Sequence, residues 1–390
     1  MRSRRSFAVA SILCPTFTAG GEVPPQRYDY SFQLYQEDDD RIRVEAHYLR
    51  GEIDFNDETS FRFQLLNDAI SGASPTGALK GDTQPYLSGV EDVRKGILGA
   101  LGRQFGDHRA ELEVSFSTED DYVSRGLTLG DTWELNQKNT TITSGFNYLN
   151  DSVLDPGGDY QGKDSYDFFA GVSQIIDKNT EVSVSLTLGY AEGYLNDPYK
   201  IVQRTDLVSI PDGLGGTIEI PVVNIYRENR PDSRFRQLLQ FEGRHYVEKA
   251  KGALDGTLRF SHDDFGIVSG TLQVEWRQEI GAHFEIVPFF RYYQQEAADF
   301  FVKTIDGVVS GTPSSDPDGS GPNYSADYRL SSFAAVSGGL RLRYRFNDHF
   351  SASAAYERYV MNGTGNSSDQ APGFAYPDAD IWTFGVSAEF

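Results

Sequence analysis

The chain has one cysteine (Cys14), two methionines, and no apolar run approaching the roughly 18 residues that a membrane-spanning helix needs. Each shortage excludes something. Arg2, Arg4 and Arg5 precede a mostly apolar or small stretch from Ser6 to Leu13, and Thr18-Ala19-Gly20 offers a cleavage point, so residues 1–21 read as a secretory signal. Leu13 is not the small residue that a lipoprotein signal places before its cysteine, which argues against lipidation of Cys14. Removal of the signal leaves residues 22–390 without a thiol, and so without disulfide, haem-attachment or thiolate-metal chemistry. Basic residues are also short, 35 Lys and Arg against 57 Asp and Glu, and the net charge of -22 argues against nucleic acid as a partner. That acidity fits solvated loops rich in Asp; the sharper reading is divalent-cation binding among those loops and lipopolysaccharide phosphates.

What is present points to strands. Glycine is abundant at 39 residues, and 26 Phe, 22 Tyr and 3 Trp supply the aromatics that the two interfacial girdles of a membrane barrel require. The last nine residues place Trp382, Phe384, Val386, Ala388 and Phe390 in strict alternation with the small or polar Thr383, Gly385, Ser387 and Glu389. One face is then apolar and the other polar, as when lipid lies outside a wall and water inside. The terminal Phe390, with Trp382, Phe384 and Val386, is similar to the signal read by the barrel assembly machinery of the bacterial outer membrane.

Alternation bounded by turn residues marks about sixteen strands, and their connections fall into two alternating classes. Short polar turns lie at Asp54 to Glu58, Phe105 to His108, Asn136 to Asn139, Asp177 to Asn179, Glu248 to Gly252, Ile280 to His283 and Phe346 to His349. Longer irregular connections lie at Ile70 to Val90, Asp151 to Lys163, Gly193 to Asp232, Phe301 to Ala326 and Asn362 to Ala379, with shorter ones near Asp38, Asp120 and Asp263. This predicts an all-β fold: a single antiparallel up-and-down transmembrane β-barrel with short periplasmic turns, long extracellular loops and an even strand number. Glu111, Glu113 and Ser115 alternate with Leu112, Val114 and Phe116; Gln273, Glu275 and Arg277 with Leu272, Val274 and Trp276. The same logic assigns Arg41, Arg43, Glu45 and His47 to the polar, inward face and Ile42, Val44, Ala46 and Tyr48 to lipid.

Asn67 to Pro75, Ser117 to Ser124, Gly193 to Lys200, Arg230 to Arg234 and Asp327 to Ser331 resemble the signature stretches of a family of Gram-negative outer-membrane proteins classed as a domain of unknown function. The resemblance spans nearly the whole mature chain. It implies an outer-membrane location and supplies no activity.

Chemistry is concentrated in the charged inner face. The pore-lining candidates are Arg234, Arg236, Glu242, Arg244, Arg259, Glu275, Arg277, Arg291, Arg341, Arg343 and Arg345. Fixed charge at a constriction selects solutes by sign, whereas pairing across neighbouring strands would only brace a polar interior. Lys200 to Ile210 and Thr217 to Tyr226 read as a hairpin around Pro211 to Gly216, with Pro221 confining its return strand to an edge, and the expectation is that it stands outside the barrel. Asp316 and Asp318, two residues apart before Gly319, offer hard ligands for Ca2+ but lack the full twelve-residue loop; otherwise no cofactor or metal is implied. His262 beside Asp263 and Asp264 is the one candidate for hydrolytic chemistry, and no serine partner accompanies it. The expectation is a non-enzymatic, porin-like outer-membrane channel for small polar or charged solutes. The alternative is a non-conducting barrel that anchors periplasmic, lipoprotein or cell-surface partners.

Overall fold

The computed structural model describes residues 25–80, 84–305 and 321–390. The signal segment with Cys14, and the Asp316 and Asp318 pair, lie outside the described residues. Sixteen strands close into one antiparallel ring. In chain order they are β1 (Gln26–Glu37), β2 (Ile42–Asn56), β3 (Thr59–Lys80), β4 (Gln84–Phe105), β5 (His108–Thr118), β6 (Tyr122–Leu135), β7 (Thr140–Leu154), β8 (Tyr160–Asp177) and β9 (Thr180–Gly193). After a hairpin of β10 (Ile201–Pro211) and β11 (Thr217–Arg227), the ring resumes with β12 (Ser233–Val247), β13 (Gly252–Asp263), β14 (Val268–Ile280) and β15 (Phe284–Gln295). A two-residue β16 (Thr304–Ile305) precedes the last three ring strands, β17 (Phe333–Arg345), β18 (Phe350–Gly363) and β19 (Ala379–Glu389). Closure is made by β1 against β19, with Gln26 and Phe390 exchanging backbone hydrogen bonds of 3.0 and 2.9 Å. A closed ring satisfies backbone groups from strand to strand, which hydrocarbon cannot do.

One rim consists of short turns. Asn56 Oδ1 accepts from the Glu58 and Thr59 amides, and Asn347 Oδ1 from those of His349 and Phe350, so side-chain carbonyls close these turns locally. Gly106 and Gly281 stand at φ of 62° and 65°, where a Cβ is disfavoured. Above this rim lies an aromatic girdle: His108 stacks on Trp133 at 5.1 Å, Tyr344 meets Phe284 and Phe346, and Phe350 meets the terminal Phe390. Outside the ring, Leu112, Val114, Phe260, Leu272, Phe384 and Val386 are all exposed, as a lipid-facing belt requires.

Three expectations need correction. The segment from Ile70 to Val90 is largely strand, because β3 and β4 run 22 residues each and keep pairing beyond the ends of their neighbours. Likewise β7 continues to Leu154 and β8 begins at Tyr160, which reduces the Asp151 to Lys163 connection to a tight turn. On β2 the faces are reversed. Ala46 (3% exposed) and Ile42 are buried inside, while His47 pairs in register with Phe32, receives the Tyr30 hydroxyl and shares the outer face with the exposed Tyr30 and Phe384. Arg43 and Glu45, in step with His47, therefore also point out of the ring. Loops packed inside the mouth need apolar wall there, and Ile42 and Ala46 supply it.

Candidate functional site

The two longest connections of the other rim fold into the mouth of the barrel. The link from β9 to β12 carries Lys200 to the wall at β3, several strands away around the ring, where its Nζ donates to the Pro75 carbonyl at 2.5 Å. Lys200 is 3% exposed, and its ammonium lies 5.5 Å from the centre of the Tyr328 ring. The link from β15 to β17 meets it. Asn229 and Tyr324 form a bridge, Arg230 pairs with Asp327 at 2.8 Å, and Arg329 pairs with Asp197. Asp327, 1% exposed, also receives the Arg329 Nε at 2.9 Å and the Arg329 amide at 3.0 Å. Glu228 accepts from Ser325 Oγ at 2.6 Å and contacts Arg230 Nε at 2.7 Å. Three carboxylates and three cations, drawn from two loops, thus neutralise one another in a network that is buried except at Arg329, whose side chain is half exposed, and such pairing is how buried charge is tolerated.

The network sits inside the ring. Phe333 and Ala335 of β17 and Met361 of β18 pack in one apolar cluster with Phe265, Ile267, Ala298, Phe301, Leu330 and Tyr376 from the loops. These strand residues alternate with the outward Val336, so the loops press against the inner wall. The Tyr376 hydroxyl ties the β18 to β19 connection to Ser331 Oγ at 2.9 Å, and Arg41 donates to the Phe374 carbonyl at 2.9 Å. The hairpin expected to stand outside is therefore anchored in the mouth at its base; its tip, from Pro211 to Gly216, is exposed. Pro221 lies on β11, an edge strand of the small β11-β10-β16 sheet.

Environment sets the protonation of this plug. The neighbouring Arg329, Lys200 and Arg230 hold the Asp327 carboxyl well below the usual range against the opposing effect of burial. Burial pushes Glu228 upward, with Arg230 opposing, and pushes Lys200 downward. Burial raises Tyr328 to about 12.

The plug leans on the wall from β13 round to β3 and leaves a cavity of about 780 Å³ along the wall from β4 to β12. Its lining intersperses the cations Arg94, Lys163, Arg234, Arg236 and Arg329 with the carboxylates Glu119, Asp121, Asp151, Asp167 and Asp197. Arg236 is the least engaged: its side chain is 57% exposed and 3.9 Å from Asp167. Arg234 pairs with Asp263 and lies over the Phe265 ring at 4.6 Å, while Lys163 pairs with Asp151 at 3.1 Å. Asp92, Glu119 and Asp121 converge within 4.8 Å, with Arg94 Nε 3.6 Å from Glu119 and the Tyr199 hydroxyl donating to Asp121.

Nearer the turns, Glu242, Arg244, Glu275 and Arg277 line a second recess of about 320 Å³. Asp255 bridges Arg244 and Arg277 at 2.5 and 2.7 Å, and Glu275 lies 3.6 and 3.9 Å from Arg277 and Arg341. Arg259 donates to Gln240, Arg343 to Ser351, and Arg345 faces Glu279 at 3.4 Å; Arg291 stands in register between Gln273 and Ser337. All eleven pore-lining candidates thus fall on the inner face, most beside a polar partner. His262 and Asp263 are split by the pleat: Asp263 is buried inside, accepting the Phe265 and Ile267 amides, and His262 is exposed. The carboxylates of the Asp38 to Asp40 turn are engaged in part by Arg358, which meets Asp38 at 2.6 Å.

Sequence reasoning did not list Lys200, Glu228, Arg230, Asp327 or Arg329 as site residues. A signal was nevertheless present, because the stretches that carry the family resemblance converge here: Pro75 with Lys200, Asp121 with Tyr199, Asp197 with Arg329, and Arg230 with Asp327.

A closed ring with an exposed apolar belt, an aromatic girdle and a polar interior defines a transmembrane β-barrel of the outer-membrane type. The family model "Protein of unknown function (DUF3570)" matches residues 9–84 and 79–377, and the chain belongs to that family. Among solved structures, the bacterial polysaccharide outer membrane secretin is similar with a TM-score of 0.50 and 9% identity, over 94% of this chain and 98% of that one. OmpT, an outer membrane protein of Vibrio cholerae, gives 0.42 and 9% over 94% and 96%. The CymD monoaromatic hydrocarbon channel gives 0.41 and 8% over 94% and 89%. The first likeness concerns the fold alone. No curated protein matched the chain.

Proposed function

We propose that this barrel is a porin-like channel of the Gram-negative outer membrane, passing small polar or charged solutes through a mouth narrowed by its own loops. The observation that carries this reading is the one-sided plug. It packs on the wall from β13 to β3 and leaves the charged cavity along β4 to β12, with Arg236 and Arg329 about half exposed within it. Below the mouth, the inner-face arginines Arg244, Arg341 and Arg345 also keep much of their side-chain surface exposed, as in a water-filled bore. Cations and carboxylates interspersed along the passage suit solutes that carry either sign or both. In this reading the turns are periplasmic and the plugged mouth faces outward.

The rival is a non-conducting scaffold, favoured by the burial of the plug network. Planar-bilayer recording of purified, folded chain separates the two. Discrete ion-conducting steps support the channel. Silence from both the wild type and a plug-released variant, together with a retained stoichiometric partner, supports the scaffold.

A further inference from the structure

We infer that Tyr199 forms the constriction through which solutes enter the inner cavity, and so sets the size limit of the passage. This deepens the channel reading and rests on it. A second cavity of about 710 Å³ lies at the outer rim, where Ser88 of the β3–β4 hairpin, Pro156 of the β7–β8 turn and Ile225 of β11 line it. It and the inner cavity of about 780 Å³ have Asp121, Pro198 and Tyr199 in common. Those three residues stand as the partition between the two. A smaller recess beside the β7–β8 turn meets the inner cavity in the same way, across Tyr194, Asn196 and Asp197. The segment from Tyr194 to Tyr199 is therefore the roof of the inner cavity.

The roof is attached unevenly. Leu195 packs on the apolar cluster of the plug, and Asn196 Oδ1 accepts the Arg230 amide at 2.7 Å. The Asp197 amide donates to Glu228 while its carboxylate pairs with Arg329, and the Pro198 carbonyl accepts from Arg227 Nη1 at 2.9 Å. Lys200 then fixes the end of the segment to Pro75 on β3. These contacts hold the backbone to the plug and to one wall. Tyr199 turns the other way, toward the β5–β6 connection, where its hydroxyl donates to Asp121. The Tyr199 amide is held by Asp197 Oδ1 at 2.9 Å, but the side chain is 40% exposed. An exposed aromatic side chain changes rotamer on the picosecond to nanosecond scale, so this gap opens and closes without movement of the plug. The bulk of one ring decides what fits, and its removal joins the two cavities.

The test uses the full chain in planar bilayers, with heat-modifiable migration as the check that each barrel is folded. Tyr199→Ala is expected to give a larger unit step than wild type. Its tryptic pattern between Gly193 and Asp232 is expected to stay that of wild type, which separates the effect from release of the plug. Tyr199→Cys in a Cys14→Ser background is expected to lose most of its current when a trimethylammonium methanethiosulfonate is added to both chambers. Leu214→Cys, at the exposed hairpin tip, is expected to react and keep its current. If wild type conducts while Tyr199→Ala keeps its step and modified Tyr199→Cys keeps its current, the inference is overturned and the channel reading stands. A larger step that comes with new cleavage between Gly193 and Asp232, or equal block of both cysteine variants, also overturns it. If neither wild type nor any variant conducts, the channel reading fails and this inference falls with it.

Discussion

Asp327 and Arg230 meet at 2.8 Å although 96 intervening residues separate them in the chain and their loops leave different walls of the barrel. That pair joins the two connections that narrow the mouth, and Arg329 and Glu228 extend it on either side. Asp327→Asn leaves Arg230, Arg329 and Lys200 with less compensating charge. The expected cost is about 3–5 kcal/mol, the usual penalty for breaking a buried ion pair. It should fall on the plug and spare the ring, whose backbone bonds are untouched. Limited proteolysis of folded protein should show new cleavage between Gly193 and Asp232, with the heat-modifiable barrel retained.

Acid should act on the plug in two opposite steps. Glu228 has a raised folded-state value, so as pH falls through it the cost of burying its charge disappears and the plug is, if anything, favoured. Asp327 is depressed, so its stabilisation is present above the unfolded value of about 3.9 and is lost as pH falls from there toward the folded value. Protection of the Ala298 amide, which bonds the Leu330 carbonyl at 2.8 Å, taken relative to its intrinsic exchange rate at each pH, should hold down to about pH 4 and fall below it. Loss of that protection near neutral pH would point to a different titrating group.

Arg236 is the most exposed of the ion-paired cations that line the upper cavity, and its loss disturbs little packing. Arg236→Glu should shift the channel toward cations. Reversing one unit charge a few ångströms from a permeating ion changes its energy by about 1–2 kcal/mol in water, or roughly tenfold in relative permeability. Reversal potentials under a salt gradient report this shift, and an unchanged potential removes Arg236 from the path.

Deletion of Phe390 should reduce barrel assembly. The residue exchanges backbone bonds with Gln26 at the closing seam, and its ring rests against His349 and Phe350. Its loss therefore weakens closure as well as the terminal signal. Membranes from cells expressing the shortened chain should hold less heat-modifiable protein than wild type, while total synthesis is equal.

Much of the fold was legible because lipid imposes a period of two. Leu112, Val114 and Phe116 opposite Glu111, Glu113 and Ser115 leave one way to place the strand, and β5 obeys it. On β2 the same pattern misled. Alternation says that Ile42 and Ala46 share a face, but which face is inside depends on what fills the mouth. The plug was hidden for a related reason: its contacts, such as Lys200 with Pro75 or Arg329 with Asp197, join segments more than a hundred residues apart, and no local pattern encodes them. The overlong β3 and β4 were concealed by Gly72, Pro75 and Gly77, which read as loop yet lie in a paired hairpin that the crossing loops cover.

The central claim, a solute path beside a one-sided plug, is tested most directly by planar-bilayer conductance of wild type against Asp327→Asn. The account expects discrete steps from wild type and larger steps once the plug is released. If both folded proteins insert and neither conducts, the channel reading is wrong.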